Sequence, residues 1–248
     1  MEDETDLVSP FSGLMRYGKA VDSHDLLKVV ATFFMLIDHL GAYILPDDQF
    51  LRVLGRVAAP LFFFLIGYAA HHQFKLTIFL CGVLLSALTF FCEKMIFINI
   101  LINFTIMKYF FERYQFDTWS TRKLIFLFLF LWIIMLPVGS FLEYGTLGMM
   151  FAISARLSLK RDPRFLGCLI FSIISYFLEE NLGFGFYHRN NMLLSFDVIC
   201  FGIFILLLRF SPRIWRFPTK IRLLFLIISR YSLWIYTVHV GLLKLLMI

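Results

Sequence analysis

Apolar residues run along this chain in long blocks, without the strict alternation of a half-buried strand. Nine blocks stand between short polar stretches, at about 27–45, 53–70, 76–92, 95–111, 123–142, 145–159, 165–181, 192–209 and 223–247. A helix crossing a bilayer core needs roughly 20 residues, and most of the blocks approach that length. In lipid only structures that satisfy their own backbone hydrogen bonds can span, which favours helices for such blocks. The pattern predicts an all-α polytopic membrane helix bundle of about nine transmembrane helices. The sixth block has the weakest signal, being short and carrying Gly145 and Gly148. In the ninth, Arg230 lies near the start and can snorkel to the interface. Residues 1–26 read as a polar cytoplasmic segment and 27–248 as one membrane domain, with no visible internal repeat.

Composition agrees with the pattern. The 248 residues are 60% hydrophobic with 32 phenylalanines, and 16% are charged, where a soluble domain has about 25% charged residues. The net charge of +6 would suit nucleic acid, but the basic residues fall in short interhelical loops, where membrane orientation explains them. With the N-terminus in the cytoplasm, the inside segments hold 17 of the 23 lysines and arginines. Arg52, Arg56, Lys94, Arg189 and Lys244 fall outside, and Arg230 lies within the last span. The positive-inside rule then predicts N-in and C-out. The acid-leaning first residues lack the basic start and short apolar stretch of a cleaved signal, so the first span is expected to be retained. Cys81, Cys92, Cys168 and Cys200 fall singly in apolar blocks, without metal-ligand spacing, and no metal is expected.

Against this background Asp38 and His39 stand out, side by side inside the first block. A charge at membrane depth costs about 2.5–3.5 kcal/mol even on the mildest insertion scale, unless it faces protein or water. Neighbours on a helix point about 100° apart. Asp38 shares a face with Ala31, Phe34 and Gly41, and His39 with Thr32, Met35 and Tyr43. Arg56, early in the second block, is the natural ion partner of Asp38. Asn99, Asn103, Glu143, Tyr144, His188, Arg189 and His239 fall at a similar outer depth on other elements, which points to a shared polar cavity. The bland readings are an Asp38–Arg56 structural ion pair, interhelical hydrogen bonding for His39, His239 and Asn99, interfacial His71 and His72, and a solvated His24.

These residues also carry a resemblance. LLKVVATFFMLIDHLGAYIL followed by LRVLGRVAAPLFFFLIGY resembles the opening of the TraX family, with Lys28, Asp38, His39, Gly55, Arg56, Pro60, Leu61 and Phe62 at the matching positions. NIL at Asn99 to Leu101 resembles a family helix. So do EYGTLGMM, with Tyr144, Gly145 and Gly148, and the ending RYSLWIYTVHVGLL, with His239. The outer loop with Pro46, Asp47 and Asp48 departs from the family pattern, and 160–220 carries no matching motif.

The resemblance implies a bacterial inner-membrane acetyltransferase like the one that N-acetylates conjugative pilin. Acetyl would pass from cytoplasmic acetyl-CoA, as co-substrate, to an amine or hydroxyl at the outer face. The acceptor would be a pilin-like protein or a glycan. His39 would act as general base or as transient acyl carrier. Asp38 would orient or polarise it, directly or through another helix, and Arg56 would neutralise Asp38 or hold the oxyanion. Asn99, Tyr144 and His239 are the expected substrate or oxyanion contacts, and Arg156, Lys160 and Arg161 the expected donor-phosphate contacts. The Phe-rich lipid-facing surfaces leave room for a homo-oligomer. Two rival classes remain open. A transporter or flippase would use Asp38, His39 and Arg56 as a proton relay or substrate site. A non-catalytic scaffold would tolerate polar replacement of Asp38 and His39.

Overall fold

In the computed structural model of the chain, the described residues are 20–69, 75–184 and 190–246. His71, His72, His188 and Arg189 lie outside them. Asp22 opens the first helix, α1 (Ser23–His39), through a reciprocal capping box with Asp25. The helix widens into a single π turn, Leu40–Ile44. Next come α2 (Gln49–Gly55), capped by Asp48, and α3 (Ala58–Tyr68). The chain continues through α4 (Leu76–Glu93), α5 (Ile100–Arg113), α6 (Thr121–Ile133) and α7 (Met135–Gly139). It closes with α8 (Leu147–Leu159), α9 (Phe165–Phe184), α10 (Asn190–Leu208) and α11 (Thr219–Leu245). A two-residue antiparallel ribbon pairs β1 (Val21–Asp22) with β2 (Ile214–Trp215).

The described residues are all-α apart from that ribbon and short turns. Each predicted block contains a helix, but among the described residues five helices are long and apolar enough to cross a membrane: Ser23–Ile44, Gln49–Tyr68, Leu76–Glu93, Phe165–Leu182 and Thr219–Leu245. The fourth predicted block is shortened because Asn99 caps α5, its carboxamide oxygen accepting from Leu101 N at 3.1 Å. The fifth breaks at Ile134, because Pro137 lacks the N–H that would bond Ile133 and its ring crowds that carbonyl.

The sixth block forms the centre of the bundle. From Met150 to Ala155 every α8 side chain is buried, and α3 covers it most extensively. The weak hydropathy signal there reflects small residues that let helices approach. At Gly67 an added Cβ would lie 1.8 Å from Ala152 O, so no larger residue fits that crossing. α1 packs on α2, α3 and α11, α4 on α5 and α11, and α9 on α8 and α10. The outward faces are apolar: Phe126 on α6 is 72% exposed and Phe201 on α10 is 65% exposed. Surfaces of this kind suit a lipid solvent and would be unusual in water.

Candidate functional site

The centre of the site is where α1 meets the break between α2 and α3. Gly55 lets the backbones touch there, since a Cβ on it would sit 2.3 Å from Asp38 Cβ. That approach places Asp38 between two arginines. Arg52 Nη1 donates to Asp38 Oδ2 at 2.7 Å and to Asp38 O at 3.1 Å. Arg56 Nε lies 3.6 Å from Asp38 Oδ1 and 3.4 Å from Glu180 Oε2. The expected Asp38–Arg56 pair is therefore corrected in one respect: Arg52, one turn earlier, makes the short contact. Arg56 is 4% exposed and faces two carboxylates. Its carbonyl accepts from Tyr176 at 2.7 Å.

A second group of residues closes on Arg56 from the 141–145 segment. Ile98 N donates to Phe141 O at 2.6 Å, and Glu143 N to Ile98 O at 3.0 Å. The Glu143 carboxylate accepts from Ile100 N at 2.9 Å, and the Asn103 carboxamide donates to Glu143 O and Gly145 O. These bonds hold Tyr144 at φ 61°, a left-handed conformation that disfavours a tyrosine. The strain places the Tyr144 phenol oxygen 2.8 Å from Arg56 Nη1, which donates to it. The phenol hydrogen is left to donate elsewhere.

The third group comes from α11. His239 Nε2 lies 2.6 Å from His39 Nδ1, and His239 Nδ1 contacts Ile235 O one turn earlier. The Tyr236 ring stands 5.7 Å from the His39 ring, and its oxygen accepts from Asn99 Nδ2 at 2.7 Å. As with Tyr144, its own hydrogen is available to donate. Asp38 directs its carboxylate at the two arginines, and the imidazole of His39 is hydrogen-bonded with that of His239 instead. The expected orienting role of Asp38 on His39 therefore has no direct contact behind it among the described residues, and His239 occupies that place.

Two cavities meet at these residues. One, of about 220 Å³, runs along α1 from His24 and Lys28 to Asp38 and His39. Fifteen helical residues separate its ends, about 22 Å at 1.5 Å per residue. Its walls are mostly apolar, including Phe62, Leu65 and Phe104, with Lys108 beside the Lys28 end. His24, read from sequence as solvated, is half-buried here. The other cavity, of about 290 Å³, opens from the opposite end of α1 and is lined by Arg52, Arg56, Glu179 and Glu180. Asp38, His39, Glu143 and Tyr144 line both.

The chain matches the TraX protein family over residues 23–247, nearly its whole length. The chain belongs to the TraX family. It is also 39% identical over 80 residues to the uncharacterized protein RP591 of Rickettsia prowazekii (strain Madrid E), a stretch covering 32% of each chain. No solved structure matches.

Within this TraX chain, His39, Asp38, Arg56, Asn99, Tyr144 and His239 come together as one cluster. The expected donor contacts do not join it. Arg156 Nε lies 3.3 Å from Asp117 Oδ1 and Lys160 Nζ 4.0 Å from Asp117 Oδ2, so both turn toward that carboxylate. Arg161 takes φ 55° in the turn after α8. None of the three lines either cavity, and Lys28 and Lys108 are the cations found at the long cavity instead. Sequence reasoning passes over Glu179, Glu180, Tyr176, Tyr236 and the proximity of Arg52. A glutamate pair inside the apolar 165–181 block is a usable signal for the first two. Among the described residues no cluster of three or more His, Cys, Asp or Glu has the arrangement to hold a metal ion.

Proposed function

We propose that this TraX-family protein is an integral-membrane acyltransferase that moves acetyl from acetyl-CoA to an amine, with His39 at the point of transfer. The observation that carries the reading is the meeting of two chemically unlike cavities at His39. The longer one is a narrow apolar channel with Lys28 and Lys108 at its far end, suited to an anionic head on a long thin arm. The shorter one holds Asp38, Glu143, Glu179 and Glu180 against Arg52 and Arg56. Four carboxylates against two guanidiniums favour a cationic acceptor such as an ammonium, over a glycan hydroxyl. A pilin-like N-terminus has that chemistry. In this reading the chain is N-in and C-out with about nine spans in a bacterial inner membrane, and the lysine end of the channel faces the cytoplasm.

Two routes use the same imidazole. The ammonium first gives one proton to a carboxylate of the shorter cavity, and as general base His39 then takes a second from the neutral amine while that nitrogen attacks the thioester carbon. The C–S bond breaks and coenzyme A leaves as the thiolate. As acyl carrier, His39 itself attacks the thioester and releases the thiolate. The neutral amine then displaces the imidazole from the acyl group, and as the C–N bond to histidine breaks its proton passes to the freed His39 nitrogen. In both, the Tyr144 and Tyr236 hydroxyls are donors available to the tetrahedral oxyanion, with Arg56 behind Tyr144.

The test uses purified protein in detergent with radiolabelled acetyl-CoA, wild type against His39→Ala. Thiol release or retained label that depends on His39 supports the enzyme, and retained label selects the carrier route. Full transfer activity in folded His39→Ala protein refutes the assignment. One further reading draws on the same two cavities. Openings toward opposite ends also suit a transporter, which would carry an intact substrate across and release no coenzyme A.

A further inference from the structure

We infer that His239 is a positioning residue: it holds His39 as the Nδ1–H tautomer and leaves Nε2 as the nitrogen that reacts. The inference rests on the acyl-transfer reading for its function, but its geometry is independent of it. Ile235 O is a carbonyl and can only accept, so His239 Nδ1 must carry the hydrogen in that contact. In a neutral imidazole the other nitrogen is then bare, and His239 Nε2 is an acceptor. It lies 2.6 Å from His39 Nδ1, which must therefore be the donor. His39, when neutral, is left with its lone pair on Nε2, on the far side of its ring from His239. Two hydrogen bonds in series, anchored on one helical carbonyl, thus settle which nitrogen is available.

The surrounding groups do not compete for that anchoring place. Asp38 is held by Arg52 and Arg56. The Tyr236 oxygen accepts from Asn99. The Glu143 carboxylate, which lines both cavities with His39, accepts from Ile100 N. The choice between base and acyl carrier does not affect the assignment, because either role needs the same bare nitrogen.

Two variants and one spectrum test it. His239→Gln retains an oxygen that accepts from His39 Nδ1, whereas His239→Leu retains none. The expected result is that His239→Gln keeps most of the transfer activity while His239→Leu loses about 100-fold in kcat with little change in KM. Wild-type activity in His239→Leu overturns the inference. Because His239→Leu can also fail to fold, NMR of isotope-labelled histidine in the wild-type protein is the deciding measurement. His39 is identified by its loss in His39→Ala. A pyrrole-like Nδ1 and a pyridine-like Nε2 on His39 support the inference, and the reverse assignment overturns it. If the wild type transfers no acyl group, the enzyme reading falls and the spectrum alone decides the tautomer.

Discussion

Replacing Arg56 with methionine should be among the most destabilising single changes in this protein. The guanidinium is 4% exposed and sits 3.4 Å from Glu180 Oε2 and 3.6 Å from Asp38 Oδ1. Methionine fills much of the same space, so packing loss is small and the electrostatic effect dominates. Asp38 keeps Arg52 at 2.7 Å, so its loss is partial. Glu180 is 3% exposed and loses the one cation that forms a salt bridge with it among the described residues. Breaking a buried pair by removing one partner costs about 3–5 kcal/mol. With Asp38 half-compensated, the lower half of that range is expected, about 3–4 kcal/mol. The assay is reversible unfolding in mixed micelles, comparing wild type, Arg56→Met, Glu180→Gln and the double variant. With Arg56 in place, Glu180→Gln removes a partner of the guanidinium. In the double variant the same change removes an orphaned carboxylate. The double variant should therefore be more stable than Arg56→Met by about 1–3 kcal/mol. Additive losses would refute the coupling, and an Arg56→Met loss under about 1 kcal/mol would refute the buried-charge argument itself.

Three further outcomes are expected. Lys28→Gln with Lys108→Gln should raise the donor KM about tenfold or more at low salt with kcat nearly unchanged, and steady-state kinetics over a salt series checks it. Gly67→Leu should prevent folding of the α3–α8 crossing, costing several kcal/mol, and the readout is the yield of monodisperse protein in detergent beside Gly202→Leu, where an added Cβ meets nothing within 4 Å. Asp162 in the α8–α9 turn is held below the usual carboxylate range mainly by its hydrogen bonds from the Arg164 side chain. Its contribution to stability is present above the unfolded carboxylate pKa and is lost as pH falls through the lower folded value. Melting of Asp162→Asn against wild type should therefore differ at neutral pH and converge in acid.

Much of the architecture is legible because lipid imposes a strong pattern. Apolar blocks mark where helices lie, and Asp38, His39 and Arg56 announce themselves as polar residues where polarity is expensive. Block ends are less legible. They depend on single side chains acting locally, such as the Asn99 cap and Pro137, which hydropathy averages away. The cluster is legible in depth, since residues on α1, α5 and α11 fall at one level in the sequence pattern and do meet. Lateral pairing is not. Arg52 and Arg56 are one helical turn apart and chemically equal, and only the packing of α1 on α2 shows that Arg52 makes the shorter contact with Asp38. The Asp117 contacts of Arg156 and Lys160 are hidden for a similar reason, because Asp117 lies 39 residues from Arg156 in sequence yet beside it in space. Tyr236 gives no signal, since an aromatic in a membrane helix is ordinary until a neighbour fixes its hydroxyl.

The histidine pair joins residues 200 apart in the chain, one on α1 and one on α11. At about 5–20 residues per second, the ribosome needs roughly 10–40 s to make what separates them. During that interval His39 is already synthesised and has no His239 beside it. The ribbon between Val21–Asp22 and Ile214–Trp215, together with the Ser229 hydroxyl on Asp25, joins the same two regions of the chain. If His239 sets the His39 tautomer, synthesis of α11 is the step that arms the site. A truncated product that inserts but lacks α11 keeps the members of the cluster on the other elements and loses the His239 and Tyr236 contacts to the His39 ring.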